Sequence, residues 1–211
     1  MSEPEPTPSI TVYSDYVCPF CYLGRESLRQ YQTQRTEPLV IDWHPFDLRA
    51  STRAPDGSID ESADDGKDDA YYEQARENVR RLQERYDVEM DLDLATDVDS
   101  LNAQLVSYHV KQERDYEQWL ELDEAILAAL WTDGRDIGDP DVLRDLATDV
   151  GLSADVVETA LSDDALQAEL RDQFRDAQRS GITGVPTFAY DDHAARGAVP
   201  PEHLERLVEG V

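Results

Sequence analysis

Lysine is almost missing from this 211-residue chain: Lys67 and Lys111 are the only two among 19 basic residues, and arginine supplies the rest. Cysteine is equally scarce, at two. Two cysteines cannot build the disulfide framework that staples small extracellular domains, so they point to a compartment where thiols persist. No apolar run approaches the roughly 20 residues of a membrane-spanning helix. The first residues, MSEPEPTPS, are acidic and proline-rich, without the basic and apolar regions of a secretory leader. These absences predict a cytoplasmic protein with no membrane partner.

Positive charge as a whole is in short supply. Against 19 basic residues stand 47 acidic ones, for a net charge of −28. Such a field repels nucleic acid and anionic surfaces, which removes nucleic acid as an expected partner. The acids are dispersed along the chain rather than gathered in one tail. With lysine depleted as well, the pattern suggests adaptation to high internal salt, where screening lengths fall to about 3 Å at 1 M. The plainer alternative is an acid-rich solvated surface without special meaning. Hydrophobic residues still make up 40% of the chain, enough at this length to bury a real core.

Ile10-Thr-Val-Tyr13 is β-branched and aromatic and predicts a strand. From Cys18, the spacing of Leu23, Leu28 and Tyr31 predicts an amphipathic helix, and Leu39-Val-Ile-Asp-Trp-His44 predicts a second strand. Residues 50–69 have little to bury and read as a surface loop. Helical patterns then dominate to Gly181, with a cap at Asp99 or Ser100 and another at Asp139 before Pro140. Val185–Tyr190 predicts a strand, Asp191-Asp192-His193 a hairpin turn, and Pro200-Pro201 opens a last helix. The organisation expected is an α/β domain built from both chain ends and interrupted by an all-helical insertion.

Both cysteines fall in one stretch, YSDYVCPFCYLG, as Cys18-Pro19-Phe20-Cys21. If the helix starts at Cys18, Pro19 occupies a first-turn position where its missing N–H is no loss. Cys18 then faces unpaired backbone N–H groups at the positive end of the helix dipole, which favour its thiolate. Cys21, one turn deeper, is less exposed. The pair divides labour: Cys18 attacks or is attacked, and Cys21 resolves the mixed disulfide. A zinc site needs about four ligands, and no second CxxC or HxxxH accompanies this one, so no metal is expected; zinc shared across a dimer and two inert buried thiols are the alternatives. Asp15 and Tyr16 precede this helix and could touch the sulfur, but strand-end polar residues are expected to cap or to face water. Trp119, Trp131, Tyr71, Tyr72 and Tyr108 are expected to pack.

DYVCPFCYLG, followed far downstream by GITGVPTFAY and RGAVPP, resembles the DsbA-like branch of the thioredoxin superfamily, and within it the FrnE-type oxidoreductases. WHPFDL at 43–48, NAQ near 102 and DGRDIGDPDVLRDLA at 133–147 are similar to further family segments. The resemblance implies a DsbA-type thioredoxin-like fold, with residues 9–60 and 181–211 forming the thioredoxin-like part and 61–180 the helical insertion. It implies a dithiol–disulfide oxidoreductase or isomerase acting on protein or small-molecule thiols. No organic cofactor is implied, because the Cys18–Cys21 disulfide carries the electrons. It further implies a cis bond at Pro186 facing that disulfide, with the Val185 backbone docking an extended substrate and Pro19 and Phe20 beside it. Strong oxidants of the family often place histidine before the second cysteine. Phe20 offers a thiolate no hydrogen bond, which implies a weaker oxidant. Glutathione-transferase-like enzymes and hydroxychromene-carboxylate isomerases share this fold, but usually with serine at the first position. A binding module that uses the CxxC is the remaining alternative.

Overall fold

The computed structural model describes residues 7–54, 56–60, 62–63, 66–91 and 97–210. The first six residues and parts of the predicted 50–69 loop lie outside them.

Strand β1 (Ser9–Ser14) buries Ile10, Val12 and Ser14, every second residue, as the pleat of a strand requires. It pairs in parallel with β2 (Val40–Pro45), Val12 opposite Trp43. A parallel pair needs a crossover, and helix α1 (Pro19–Gln34) supplies it. On its other edge β1 pairs antiparallel with β3 (Thr187–Tyr190), Val12 opposite Phe188. The chain then turns at Asp191, φ 49°, into β4 (His193–Arg196). The sheet order β2-β1-β3-β4 therefore brings the two ends of the chain side by side.

Among the described residues six α-helices lie between β2 and β3 in sequence: α2 (Asp69–Tyr86), α3 (Leu101–Glu113), α4 (Tyr116–Trp131), α5 (Pro140–Asp149), α6 (Asp155–Leu161) and α7 (Asp164–Arg179). Helix α8 (Pro201–Glu209) follows β4. The aspartate excess has local uses here. Asp68, Asp115, Asp139 and Asp163 each accept first-turn N–H groups at a helix start, typically worth about 1 kcal/mol apiece. The cap expected before α3 is divided between two residues. Asp99 accepts the Leu101 N–H, whereas Ser100 sends its hydroxyl to Asp15.

Helix α4 carries much of the core: Trp119, Leu122, Ile126, Leu127, Leu130 and Trp131 are all buried. Each buried indole N–H has an acceptor: Ser107 Oγ for Trp119, the Tyr16 carbonyl for Trp131, and Ser14 Oγ for Trp43. This is the condition on which tryptophan can be interred. Among the described residues of 50–69, the expected loop carries some regular structure before α2 begins at Asp69. Ala50–Thr52 form a 3₁₀ turn and Arg53 bridges to Ile59. Arg53 forks onto Asp47 at 2.6 Å and Asp99 at 2.8 Å. Charge pairing organises this segment, so no apolar period announces it.

Candidate active site

Asp15, Tyr16 and Val17 carry the chain from β1 into α1. Cys18 is the N-cap, with extended backbone, and Pro19 fills the first turn. The Cys18 carbonyl accepts the Cys21 N–H at 2.9 Å, closing the turn that stacks the two cysteines. Both are free thiols, one turn apart on α1. They are almost equally buried, 3% and 1% exposed. What separates them is access, because Cys18 lines a cavity of about 430 Å³ and Cys21 does not.

The Cys18 thiol donates to the Val185 carbonyl at 3.7 Å, and the Val185–Pro186 bond is cis. Val185, Cys18, Pro19 and Phe20 all line the cavity. Four of the six residues singled out in the sequence thus meet at one surface, and Cys21 lies beneath it. Pro186 is buried behind that surface against α1. A Cβ on Gly24 would lie 3.0 Å from Pro186 Cγ and 3.1 Å from Phe188 Cζ. Only glycine lets α1 approach the proline this closely. The sequence carried a cue, a glycine inside a helix, that no periodicity explains.

Asp15 and Tyr16 do not face water, as was expected; they are 1% and 2% exposed. The Asp15 carboxylate accepts from Ser100 Oγ at 2.5 Å, Leu48 N at 2.8 Å and Val17 N at 3.3 Å. Burial nevertheless outweighs these bonds and pushes its pKa up to about 6. Burial, then contact with Cys18, then the nearby Asp15 charge hold the Cys21 thiol well above the usual thiol range. Cys21 therefore rests protonated.

The α2 side of the cavity carries Tyr71 and Tyr72. Tyr71 is not the packing residue expected; it is 52% exposed. Arg49 and Lys67, which no sequence motif flagged, also line the cavity. Among the described residues no group of three or more His, Cys, Asp or Glu side chains is arranged to hold a metal ion. Nor is any helix among them long and apolar enough to cross a membrane.

Residues 9–209 match the family described as the DSBA-like thioredoxin domain. Protein YwbO of Bacillus subtilis is 28% identical over 203 residues, covering 96% of each chain. The structure is similar to that of a probable DsbA oxidoreductase from Streptomyces coelicolor, with TM-score 0.77 and 23% identity over 96% of this chain and 88% of that one. It is also similar to a 2-hydroxychromene-2-carboxylate isomerase, with TM-score 0.72 and 17% identity over 93% and 92%. The fold is a DsbA-like thioredoxin fold: among the described residues, a four-stranded mixed sheet with helices, six of them α-helices lying between β2 and β3 in sequence.

Proposed function

The chain belongs to the DSBA-like thioredoxin domain family, and from that premise we propose that it is a dithiol–disulfide oxidoreductase or isomerase whose redox carrier is the Cys18–Cys21 pair. The observation that carries this reading is the cluster itself. A helix-capping Cys18 lies 3.7 Å from the Val185 carbonyl at a cavity wall, with Cys21 one turn beneath. In the oxidised protein a substrate thiolate attacks Cys18 Sγ, the Cys18–Cys21 bond breaks, and Cys21 leaves and takes up a proton. A second thiol attacks the substrate sulfur of the mixed disulfide, which frees Cys18 and releases the substrate disulfide. Run in reverse, the same steps reduce a disulfide. The raised Cys21 pKa makes proton uptake on departure favourable. The backbone of Val185 and the side chains of Pro19 and Phe20 bound the place where substrate lies. The reading extends to a FrnE-type protein in the cytoplasm of a high-salt cell, with 9–60 and 181–211 as the redox unit and 61–180 as the insertion.

The test is trapping. Cys21→Ser leaves Cys18 without its resolving thiol, so a mixed disulfide with substrate accumulates and is seen by non-reducing mass spectrometry; Cys18→Ser traps nothing. Equal trapping by both variants would mean that the assignment of roles is wrong. The isomerase reading is supported by the likeness to the hydroxychromene-carboxylate enzyme and by the cavity over Cys18. It needs one thiol, so full turnover in Cys21→Ser would favour it over redox exchange.

A further inference from the structure

Two dipeptides far apart in sequence are shared between one cation and one anion. Asp47-Leu48 follows β2, and Asp99-Ser100 leads into α3. The first residue of each accepts from Arg53, and the second of each donates to Asp15. Arg53 sends Nε and Nη2 to the Asp47 carboxylate at 2.6 and 3.1 Å. Its Nη1 and Nη2 each reach Asp99 at 2.8 Å, and Nη1 also donates to the Gly57 carbonyl at 3.0 Å. The guanidinium thus makes as many bonds as it has N–H groups. Asp15 accepts the Leu48 N–H at 2.8 Å and the Ser100 hydroxyl at 2.5 Å, and beside them the Val17 N–H of the cysteine turn at 3.3 Å. The two centres brace the same pair of segments against the turn that carries Cys18.

The segment that carries Arg53 is also a wall of the cavity. Leu48, Arg49, Ser51, Thr52, Ile59 and Asp60 line it, and Arg53 itself does not. No described residue from Leu48 to Asp60 is buried, so apolar packing does little to hold this wall. The Arg53 fork, with its side chain 11% exposed, ties it to buried Asp47 and to the approach to α3. Cys18 borders the same cavity and is 3% exposed.

Resting on the dithiol reading above, we propose that Arg53 is a positioning residue for thiol–disulfide exchange: it holds the wall formed by Leu48–Thr52 and Ile59–Asp60, and so sets by size what reaches Cys18. It acts through Asp47, Asp99 and the wall rather than by contact with the reacting sulfur. Arginine suits this place because a planar fork can hold two carboxylates and a carbonyl at once, which the point charge of a lysine cannot.

The experiment is alkylation of the reduced protein by two neutral maleimides, small N-ethylmaleimide and rigid, bulky pyrene maleimide, with the modified cysteine identified by peptide mass spectrometry. In the wild type Cys18 is expected to take the small reagent readily and the bulky one slowly. Arg53→Gln is expected to speed the bulky reagent at Cys18 at least about tenfold, the equivalent of about 1.4 kcal/mol, while the small one changes less than about twofold. Cys21, 1% exposed, should stay unmodified, which a general loosening of the fold would not allow. Arg53→Gln strands two carboxylates, so D47N/R53Q/D99N, which strands none, carries the test if the single variant fails to fold; the same gain for the bulky reagent is expected. A wild type that takes both reagents equally, a variant that speeds both alike or neither, or modification of Cys21 alongside Cys18 would overturn the proposal and leave the dithiol reading intact. That reading is checked in the same samples with bis(2-hydroxyethyl) disulfide, which should give the Cys18–Cys21 disulfide and two molecules of 2-mercaptoethanol. If it oxidises none of them, the dithiol reading fails and the exchange role of Arg53 fails with it, whatever the maleimides show.

Discussion

The Tyr16 hydroxyl, two residues before Cys18, donates to the Asp123 carboxylate at 2.7 Å across 107 residues of sequence. Asp123 Oδ2 also accepts from Arg25 of α1 at 2.6 Å, with both side chains buried. Ser107 lies 2.7 Å from the same phenol and accepts the Trp119 indole N–H. The cysteine-bearing turn and helix are thereby tied to α3 and α4 by one buried polar network. Removing one partner of a buried ion pair strands the other, at a cost of about 3–5 kcal/mol. We expect Asp123→Ala to lose stability on that scale in denaturant melts. Deleting the exposed Arg179–Asp176 pair should cost less than about 1 kcal/mol. Similar losses for both would mean that the buried network is not what joins the two parts.

Asp15 makes stability depend on pH in a direction opposite to ordinary acid denaturation. Its pKa is raised by burial from 3.8 to about 6, so the folded state holds the proton more tightly than the unfolded one. The stabilisation is complete below about pH 4, declines as pH rises through 6 and is gone above it. The span corresponds to about 3 kcal/mol. Asp15→Asn should flatten this part of the stability–pH curve. A wild-type curve that rises between pH 4 and 6, and keeps that rise in the variant, would contradict the assignment.

Phe20 separates the cysteines, lines the cavity and packs on the cluster of Leu23, Val79 and Tyr86. Phe20→His brings a hydrogen-bond donor beside Cys18, and the reduced form alone has a thiolate to stabilise. The redox potential should rise by at least about 30 mV, the equivalent of about 1.4 kcal/mol. Equilibration against a glutathione buffer measures it. A lower potential would show that the residue between the cysteines does not control the couple.

Gly24→Ala sets two effects against each other. Alanine gains up to about 1 kcal/mol in helix propensity, while crowding a packed site costs about 1–3 kcal/mol. Phe188 is fully buried and Pro186 is held in the turn before β3. Neither can yield easily to a Cβ 3.0–3.1 Å away. A net loss of stability is expected, with slower disulfide exchange as α1 moves from Val185. A more stable variant with unchanged exchange would show that the contact is slack.

The charge of −28 predicts that stability grows with salt. Screening shortens from about 10 Å at 0.1 M to about 3 Å at 1 M, which relieves repulsion among the dispersed carboxylates. Thermal melts should move upward across that range. A melting temperature insensitive to salt would mean that the ion pairs already balance the surface, and would remove the argument for a high-salt habitat.

Local rules made much of the fold readable. Alternation in β1, Pro19 and Pro140 in first turns, aspartates at helix starts, and Gly134 and Gly181 just past helix ends each act within a few residues. The cysteine pair was readable for the same reason, since a spacing of three on a helix brings two sulfurs to one side. By itself, then, the sequence determined β1, β2 and most of β3, several helix starts and stops, and which cysteine caps α1. The tertiary structure alone decided that Asp15 is buried, that Asp123 neutralises Arg25, that Gly24 receives Pro186, and that Arg49 and Lys67 border the cavity at Cys18. Each of these joins atoms far apart along the chain. Their energies depend on burial, which shifts a carboxylate's pKa or makes an ion pair costly to break only once the intervening helices have closed over it.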